Sequence, residues 1–457
     1  MRALAAGLVY RGPQRWGLAA GSAALVSLAG ALIVVRSASL AVAITIGAVT
    51  MAAARRWPVS IWAAVGAVSL FLDDYVRTTV AFSHGGKVIY ISDLVPVLLV
   101  VAYVSVDDRR ERIGRRMSLW LGALFFLVVL LTFFRTITDR GLTPALQVRY
   151  LLPFLLCATL PLSRRFREIS ASQTATVISW LAIAIAVKSF SRIGSGYETT
   201  TSLDVERIYQ TWEPFIAAAM ALTLLGYVLL ASDVRRLHYV GLALAPVPVL
   251  FSFFRTAWVL SLGIGVVVFL LARRGTRRGA LIAGAVVVVA TFLLGSYAIQ
   301  PESGKSLASQ VVLRSSQVHL QLDSYRTQEY SAVWREIVKH PWVGSGYGTQ
   351  YQGDWTIYTT TAHNAYEWIW WRMGLVGLGI FLCFLFCVAR ETVRALPGLD
   401  TNDRALAVGL LAGLAFVLLA ANLHENFENY QSNLFDCLLI AQLIGLSIKG
   451  SRPSARI

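Results

Sequence analysis

The chain has 457 residues, is 56% hydrophobic and only 14% charged, and has a mean hydropathy of +0.61, which excludes an ordinary soluble globular protein. A formal net charge of +16 raises nucleic acid as a partner, so the placement of the basic residues has to decide. The four cysteines (Cys157, Cys383, Cys387 and Cys437) all fall in apolar runs and point to neither a disulfide framework nor a metal centre.

Taken in order, the apolar runs give an all-α polytopic membrane protein with about fourteen (12–14) transmembrane helices. The first run, 16–35, follows arginines as a signal peptide would, but it has spanning length and no evident cleavage region, so it reads as a first helix. Further spans are expected at 37–54, 57–73, 88–105, 118–134, 149–163, 174–190 and 214–232. The stretch 239–272 divides into two short spans, 239–254 and 256–272, with Arg255 between them. Spans at 279–298, 366–389, 405–421 and 433–448 complete the set. The chain thus divides into a bundle at 1–298 (about 11 spans), an extracytoplasmic loop at 299–365 with short amphipathic helices, and C-terminal helices at 366–457 (about three spans). With the amino terminus inside, loops such as 107–116, 164–168 and 273–278 all fall on the inner side, while the outer side is close to neutral. The charge therefore reports orientation by the positive-inside rule, and no nucleic-acid partner is expected.

Polar chemistry gathers at the outer ends. His84 and Arg77 lie in the loop 74–87, and Arg207 closes the loop 191–213 just before Pro214 opens a helix. Arg255, in FSFFRTAWVL, sits between apolar runs; it either faces a polar cavity with an anionic partner or snorkels to the interface. Within 324–339, Tyr330, Val333, Trp334, Ile337 and Val338 repeat at helical spacing and define one apolar face. Arg326 shares that face and points inward toward an anion, whereas Arg335 reads as a solvated charge. Pro341 stops this helix, and GSGYG (344–348) reads as a turn, since it follows no strand and lacks a Walker lysine.

The segment TTTAHNAYEWIWWRMGLVGLGIF (359–381) closes the longest polar interval and runs into a span. Asn364 followed by Glu367 has the form of an N-cap with its capping-box partner. His363 then lies just outside a helix N-terminus, where the dipole disfavours the imidazolium. Two readings stay open for it: a neutral base, or a cap histidine bonded to loop backbone. Trp368, Trp370 and Trp371 read as an interfacial belt. Arg372 reaches back to the interface or pairs with Glu367, and the sequence does not choose. Neither a histidine pair at metal-ligand spacing nor a G-x-S-x-G is present.

Arg326, the tryptophan helix, HPWVGSGYG, AHNAY and the following G-L-V-G-L helix together resemble the outer loop of the O-antigen ligase and polymerase superfamily, bacterial membrane glycosyltransferases of the GT-C type. The likeness extends to FFRTAW (254–258) and loosely to ERIYQTWEP (206–214), so it covers roughly 206–381. It implies transfer of a glycan from a polyprenyl-diphosphate carrier to an acceptor sugar hydroxyl on a glycan or glycolipid. The reaction would run on the outer face of the cytoplasmic membrane, with inversion and with neither metal nor cofactor, and both termini would be cytoplasmic. By position, His363 matches the histidine that activates the acceptor. Arg255, Arg326 and Arg207 match arginines that hold the donor diphosphate, with Asn364, Glu367 and Arg314 in supporting places. Two departures stand out: Arg372 where the family usually has Glu, and Phe254 where it usually has Ser. A repeat-unit polymerase is the alternative within the superfamily, and a lipid-linked sugar flippase or transporter the alternative from another class.

Overall fold

Backbone inside a bilayer must satisfy its own hydrogen bonds, and the computed structural model answers with helices. It describes residues 56–71, 81–84, 87–90, 96–97, 99–100, 116–194, 200–202, 205–207, 212–252, 255–272, 324–352, 358–359, 362–422 and 430–451. The longer helices are α1 (Ser60–Phe71), α2 (Met117–Arg140), α3 (Ala171–Gly194), α4 (Glu213–Leu230), α5 (Arg255–Leu271), α6 (Ser324–Lys339), α7 (Ala365–Ala395), α8 (Thr401–Ala420) and α9 (Tyr430–Gly450). Among the described residues, six helices are long and apolar enough to cross a membrane, or up to seven if the bent pair Leu142–Leu151 and Phe154–Leu162 counts as one span. The spans expected at 16–35, 37–54 and 279–298 lie outside the described residues, as does most of 88–105.

Among the described residues, three two-stranded antiparallel hairpins accompany the helices: β1 (Ala81–His84) with β2 (Lys87–Tyr90), β3 (Thr200–Ser202) with β4 (Val205–Arg207), and β5 (Tyr351–Gln352) with β6 (Tyr358–Thr359). Strand β2 corrects the start expected for the span 88–105. The run KVIY pairs with AFSH, Ala81 opposite Tyr90 and His84 opposite Lys87.

Inside the bundle the usual amphipathic rule is inverted. Helix α2 exposes Trp120, Leu124, Leu127, Leu131 and Phe134, while Ser118, Gly122, Thr132 and Thr136 are buried with Phe125 and Val129. Lipid is as apolar as leucine, so small and hydroxylated side chains mark the protein-facing side. The α4–α8 crossing follows the same rule: a Cβ on Gly226 would lie 2.5 Å from the Gly409 Cα, so two backbones meet there without side chains between them. Helix α9 is buried from Tyr430 to Ile448 and carries Gln431, Asn433, Asp436 and Gln442 into the interior. Its Asn433 Nδ2 donates to the Tyr150 carbonyl at 2.6 Å. That carbonyl lies beside the 52° bend, where Pro153 interrupts the helical ladder. The straight span expected at 149–163 is therefore replaced by a bent pair of helices, and a buried amide compensates the break.

Side-chain contacts sort the helix ends into two groups. At one end Glu391 accepts from the Met117 and Ser118 amides (3.0 and 3.3 Å), Lys449 pairs with Asp403, and Asn402 accepts from Ser232 (2.8 Å). At the other, Arg135 donates to the Val343 and Gly344 carbonyls (3.1 and 2.8 Å), and the Ala365 amide donates to the Ala421 carbonyl (2.9 Å). Lys188 meets Glu213 (2.7 Å) and the Leu70 carbonyl (2.6 Å), tying α1, α3 and α4 together. Residues 116–118, 391–404 and 449 share one end, while 135, 343–344 and 365 share the opposite end.

Candidate active site at the start of a kinked helix

His363 sits one residue before the cap of α7. Asn364 is the N-cap, with extended backbone (φ −95, ψ 110) and a side-chain oxygen accepting from the Tyr366 and Glu367 amides at 3.0 and 3.3 Å. The Tyr366 hydroxyl donates to the Leu418 carbonyl at 2.8 Å, so the start of α7 is fixed against the end of α8.

Glu329, on α6, holds the histidine. Its Oε1 accepts from the His363 backbone N–H at 3.0 Å, and its Oε2 lies 2.7 Å from His363 Nδ1. The Tyr351 hydroxyl donates to Oε1 at 3.0 Å. Glu329 is 4% exposed, while the His363 side chain is 38% exposed. A buried carboxylate thus meets a half-open imidazole. Burial acts to raise the Glu329 carboxyl, but the hydrogen bonds and charge of His363, with the Tyr351 hydroxyl, together hold it below its usual range. The sequence reading passed over Glu329. The available signal was its place: it shares a stripe with Ala332, Val333 and Ile337, and a carboxylate on an apolar stripe needs a partner.

That stripe corrects the expected face of α6. Val333 and Ile337 are buried as expected, but Trp334 is 51% exposed and Val338 58% exposed. Trp334 stands edge-on to Trp370 at 5.4 Å. The helix has two apolar sides, one against protein and one facing outward, and periodicity alone merges them. Arg335 is exposed, as a solvated charge would be.

Below His363, α7 is interrupted at Gly374, whose φ of 73 is open to glycine at little cost. The loop after α6 repairs the break from both sides. The Leu375 and Val376 amides donate to the Pro341 and Trp342 carbonyls (2.8 and 3.2 Å), and the Trp371 and Arg372 carbonyls accept from the Ser345 and Gly346 amides (2.7 and 3.0 Å). GSGYG is indeed a turn after a proline-stopped helix, but its tight path serves to enter another helix. The Tyr347 amide then donates to Thr136 Oγ1 (3.0 Å) and the Gly348 amide to Gln147 (2.8 Å).

Arg372 takes neither expected course. It is 0% exposed, donates from Nη1 to the carbonyls of Thr349 (2.9 Å) and Gly346 (3.3 Å) and to the Thr349 hydroxyl, and lies 3.7 Å over the Trp371 ring. Trp368 and Trp371 are buried around it, which corrects their reading as an interfacial belt. Trp370 Nε1 donates to the Pro341 carbonyl at 2.9 Å.

Residues 240–382 match the family model of O-antigen ligase, an interval that holds Arg255, Arg326, Glu329, the grafted loop and His363. That segment, 143 of the 457 residues, is similar to the O-antigen ligase family. No curated relative matches the chain besides that family model. Ligase- or polymerase-type glycosyl transfer in a membrane is the activity that the matched O-antigen ligase family implies.

Within the O-antigen ligase segment the backbone places two of the expected arginines. Arg326 is in the first turn of α6, three residues before Glu329, and Arg255 is the first residue of α5. Arg236 starts its helix four residues after Ser232, whose amide meets Asn402, and the helices Arg236–Leu244 and Pro246–Phe251 lead from there to α5. Arg207, outside the segment, ends β4 opposite Thr200. Arg314 lies outside the described residues. Below Arg255, a cavity of about 370 Å³ opens between α4, the Arg236–Phe251 helices and α5, lined by Leu222, Leu225, Val249, Leu250, Trp258 and Leu262 among others. Among the described residues no three His, Cys, Asp or Glu side chains cluster as metal ligands would.

Proposed function

We propose that this protein is a metal-independent, inverting glycosyltransferase. It moves a glycan from a polyprenyl-diphosphate carrier to an acceptor sugar hydroxyl at the outer face of the cytoplasmic membrane. The observation that carries this reading is the placement of His363: an imidazole at the start of a helix, open on one side and bonded through Nδ1 to a buried carboxylate, within an O-antigen ligase segment.

The acceptor oxygen attacks the anomeric carbon from the face opposite the leaving group. The new C–O bond forms as the bond to the diphosphate oxygen breaks, and the acceptor proton passes to His363. Charge accumulates on the departing polyprenyl diphosphate, and Arg255, Arg326 and Arg207 neutralise it through bidentate, permanently charged contacts. The apolar cavity lined by Trp258, one turn after Arg255, offers room for the carrier's hydrocarbon chain.

Purified protein incubated with carrier-linked glycan and acceptor tests the proposal. Release of free polyprenyl diphosphate coupled to acceptor glycosylation, undiminished by a chelator, supports it. General-base assistance is worth about 10²–10⁴ in rate, so His363→Ala should lose detectable transfer while still binding carrier. Normal product from that variant, or movement of intact carrier across vesicles without transfer, overturns it. Supplying a core-glycolipid acceptor and a second carrier-linked repeat in parallel distinguishes ligase from polymerase.

A further inference from the structure

We propose that Glu329 is a positioning residue for the transfer: it selects the His363 tautomer with the proton on Nδ1, leaves Nε2 as the basic nitrogen, and stabilises the imidazolium once the acceptor proton arrives. The inference rests on His363 being the base, and it names a residue that neither motif nor resemblance supplied.

Three features of the geometry argue for it. The carboxylate uses both oxygens on one residue, Oε1 on the His363 backbone amide and Oε2 on the ring nitrogen, which fixes the ring's position as well as its proton. Such an arrangement exceeds what a loop staple needs, since the backbone bond alone would hold the chain. The carboxylate is also buried, so its charge acts on the imidazole through little solvent. Finally, Tyr351 donates to Oε1 and leaves Oε2 to the ring. Tyr351 is two residues from Thr349, which Arg372 grips, so the buried arginine steadies the strand that steadies the carboxylate. In this scheme the acceptor O–H bond breaks, the proton goes to Nε2, and the Nδ1 proton stays shared with Glu329. Loss of the Nε2 proton to solvent resets the pair.

The titratable and charged groups near the pair, among the described residues, are the Tyr351 hydroxyl from β5 and the Glu367 carboxyl from α7, which feels the Glu329 charge. Glu367 stays in place in every variant below, so differences between them report on residue 329.

The test compares Glu329→Gln and Glu329→Asp with wild type, in detergent or nanodiscs, for carrier binding, transfer rate and the pH dependence of transfer. Glutamine keeps the shape but can offer its NH₂ to Nδ1 and hold the wrong tautomer. The expected result is a roughly 10²–10⁴-fold loss of transfer with carrier affinity unchanged. The acid limb of its residual activity should move to lower pH, because the imidazolium has lost its anion. Aspartate should recover part of the rate and return the acid limb toward wild type. Should Glu329→Gln fail to fold, Tyr351→Phe replaces it, with an expected several-fold loss in rate and no change in carrier affinity. Wild-type rate and pH profile in Glu329→Gln overturn the inference, as does an equal loss in glutamine and aspartate variants with no shift of the acid limb. An inactive His363→Ala beside a normal Glu329→Gln defeats only the positioning role, whereas an active His363→Ala defeats the catalytic reading beneath it.

Discussion

The Trp342 carbonyl occupies the place where a side chain on Gly374 would begin, so that a methyl there would overlap it, and the same carbonyl accepts from Val376 one turn below. The two residues are 32 positions apart in sequence, yet they form one helical turn assembled from two pieces of chain.

Gly374→Ala should therefore displace the loop as well as strain the backbone. A backbone at φ 73, ψ −179 is essentially closed to a residue with a Cβ and costs roughly 1–3 kcal/mol there, and the overlap with backbone adds to it. Thermal unfolding in detergent should show a clear loss of stability, and transfer should fall with it. A variant as stable and active as wild type would show that the loop does not depend on the break.

Arg372→Ala should destabilise by about 2–4 kcal/mol, since it strips the carbonyls of Thr349 and Gly346 of a buried donor and leaves a void against Trp371. Arg372→Lys should recover little, because an ammonium cannot both stack on the ring and fork between two carbonyls. Limited proteolysis across 341–352 reads the effect directly: both variants should be cut faster than wild type.

Gly226→Leu should separate α4 from α8. The glycine faces the Gly409 backbone with no space for a side chain, so the expected cost is at least about 1–3 kcal/mol from overpacking. Size-exclusion profiles and unfolding midpoints check it. Gly263→Leu is the control, because no described residue lies within 4 Å of a Cβ there.

The His363–Glu329 pair also gives a pH signature in stability. Glu329 is held below its ordinary value of 4.5, so its contribution is complete above that value and is lost as the pH falls through the lower folded-state value. Unfolding followed from neutral pH into that acid window should show wild type losing stability relative to Glu329→Gln, which has no proton to take up at this site. Parallel curves for the two proteins would argue that the carboxylate is no stronger an acid folded than unfolded.

Some of this was readable from the residues and some was not, for physical reasons. Helices α2, α3, α4, α8 and α9 announce themselves because apolar length is what a bilayer demands. The shortness of 239–272 was visible as well, and it appears as Arg236–Leu244, Pro246–Phe251 and α5. Breaks were hidden. Hydropathy is the same on both sides of Pro153 and Gly374, and what mends each break comes from distant chain, Asn433 in one case and Pro341 to Gly346 in the other. The face of α6 was misread because tryptophan and valine look alike whether they meet protein or the surroundings. His363 and Asn364 could be found by cap chemistry. Glu329 shows in the sequence only as a carboxylate on an apolar stripe, because the partner that gives it meaning lies 34 residues later.

The final helix, α9, carries two glutamines, an asparagine and an aspartate on a rod with no side left open to its surroundings. Such a segment is poorly suited to sit alone among acyl chains, since its amides and carboxyl find their company only in the finished bundle. Docking of α9 is accordingly expected to depend on the helices that bury it, α1, α7 and α8 among them. Truncation within 430–450 should thus strand an incomplete shell for membrane quality control, and would not yield a smaller working enzyme.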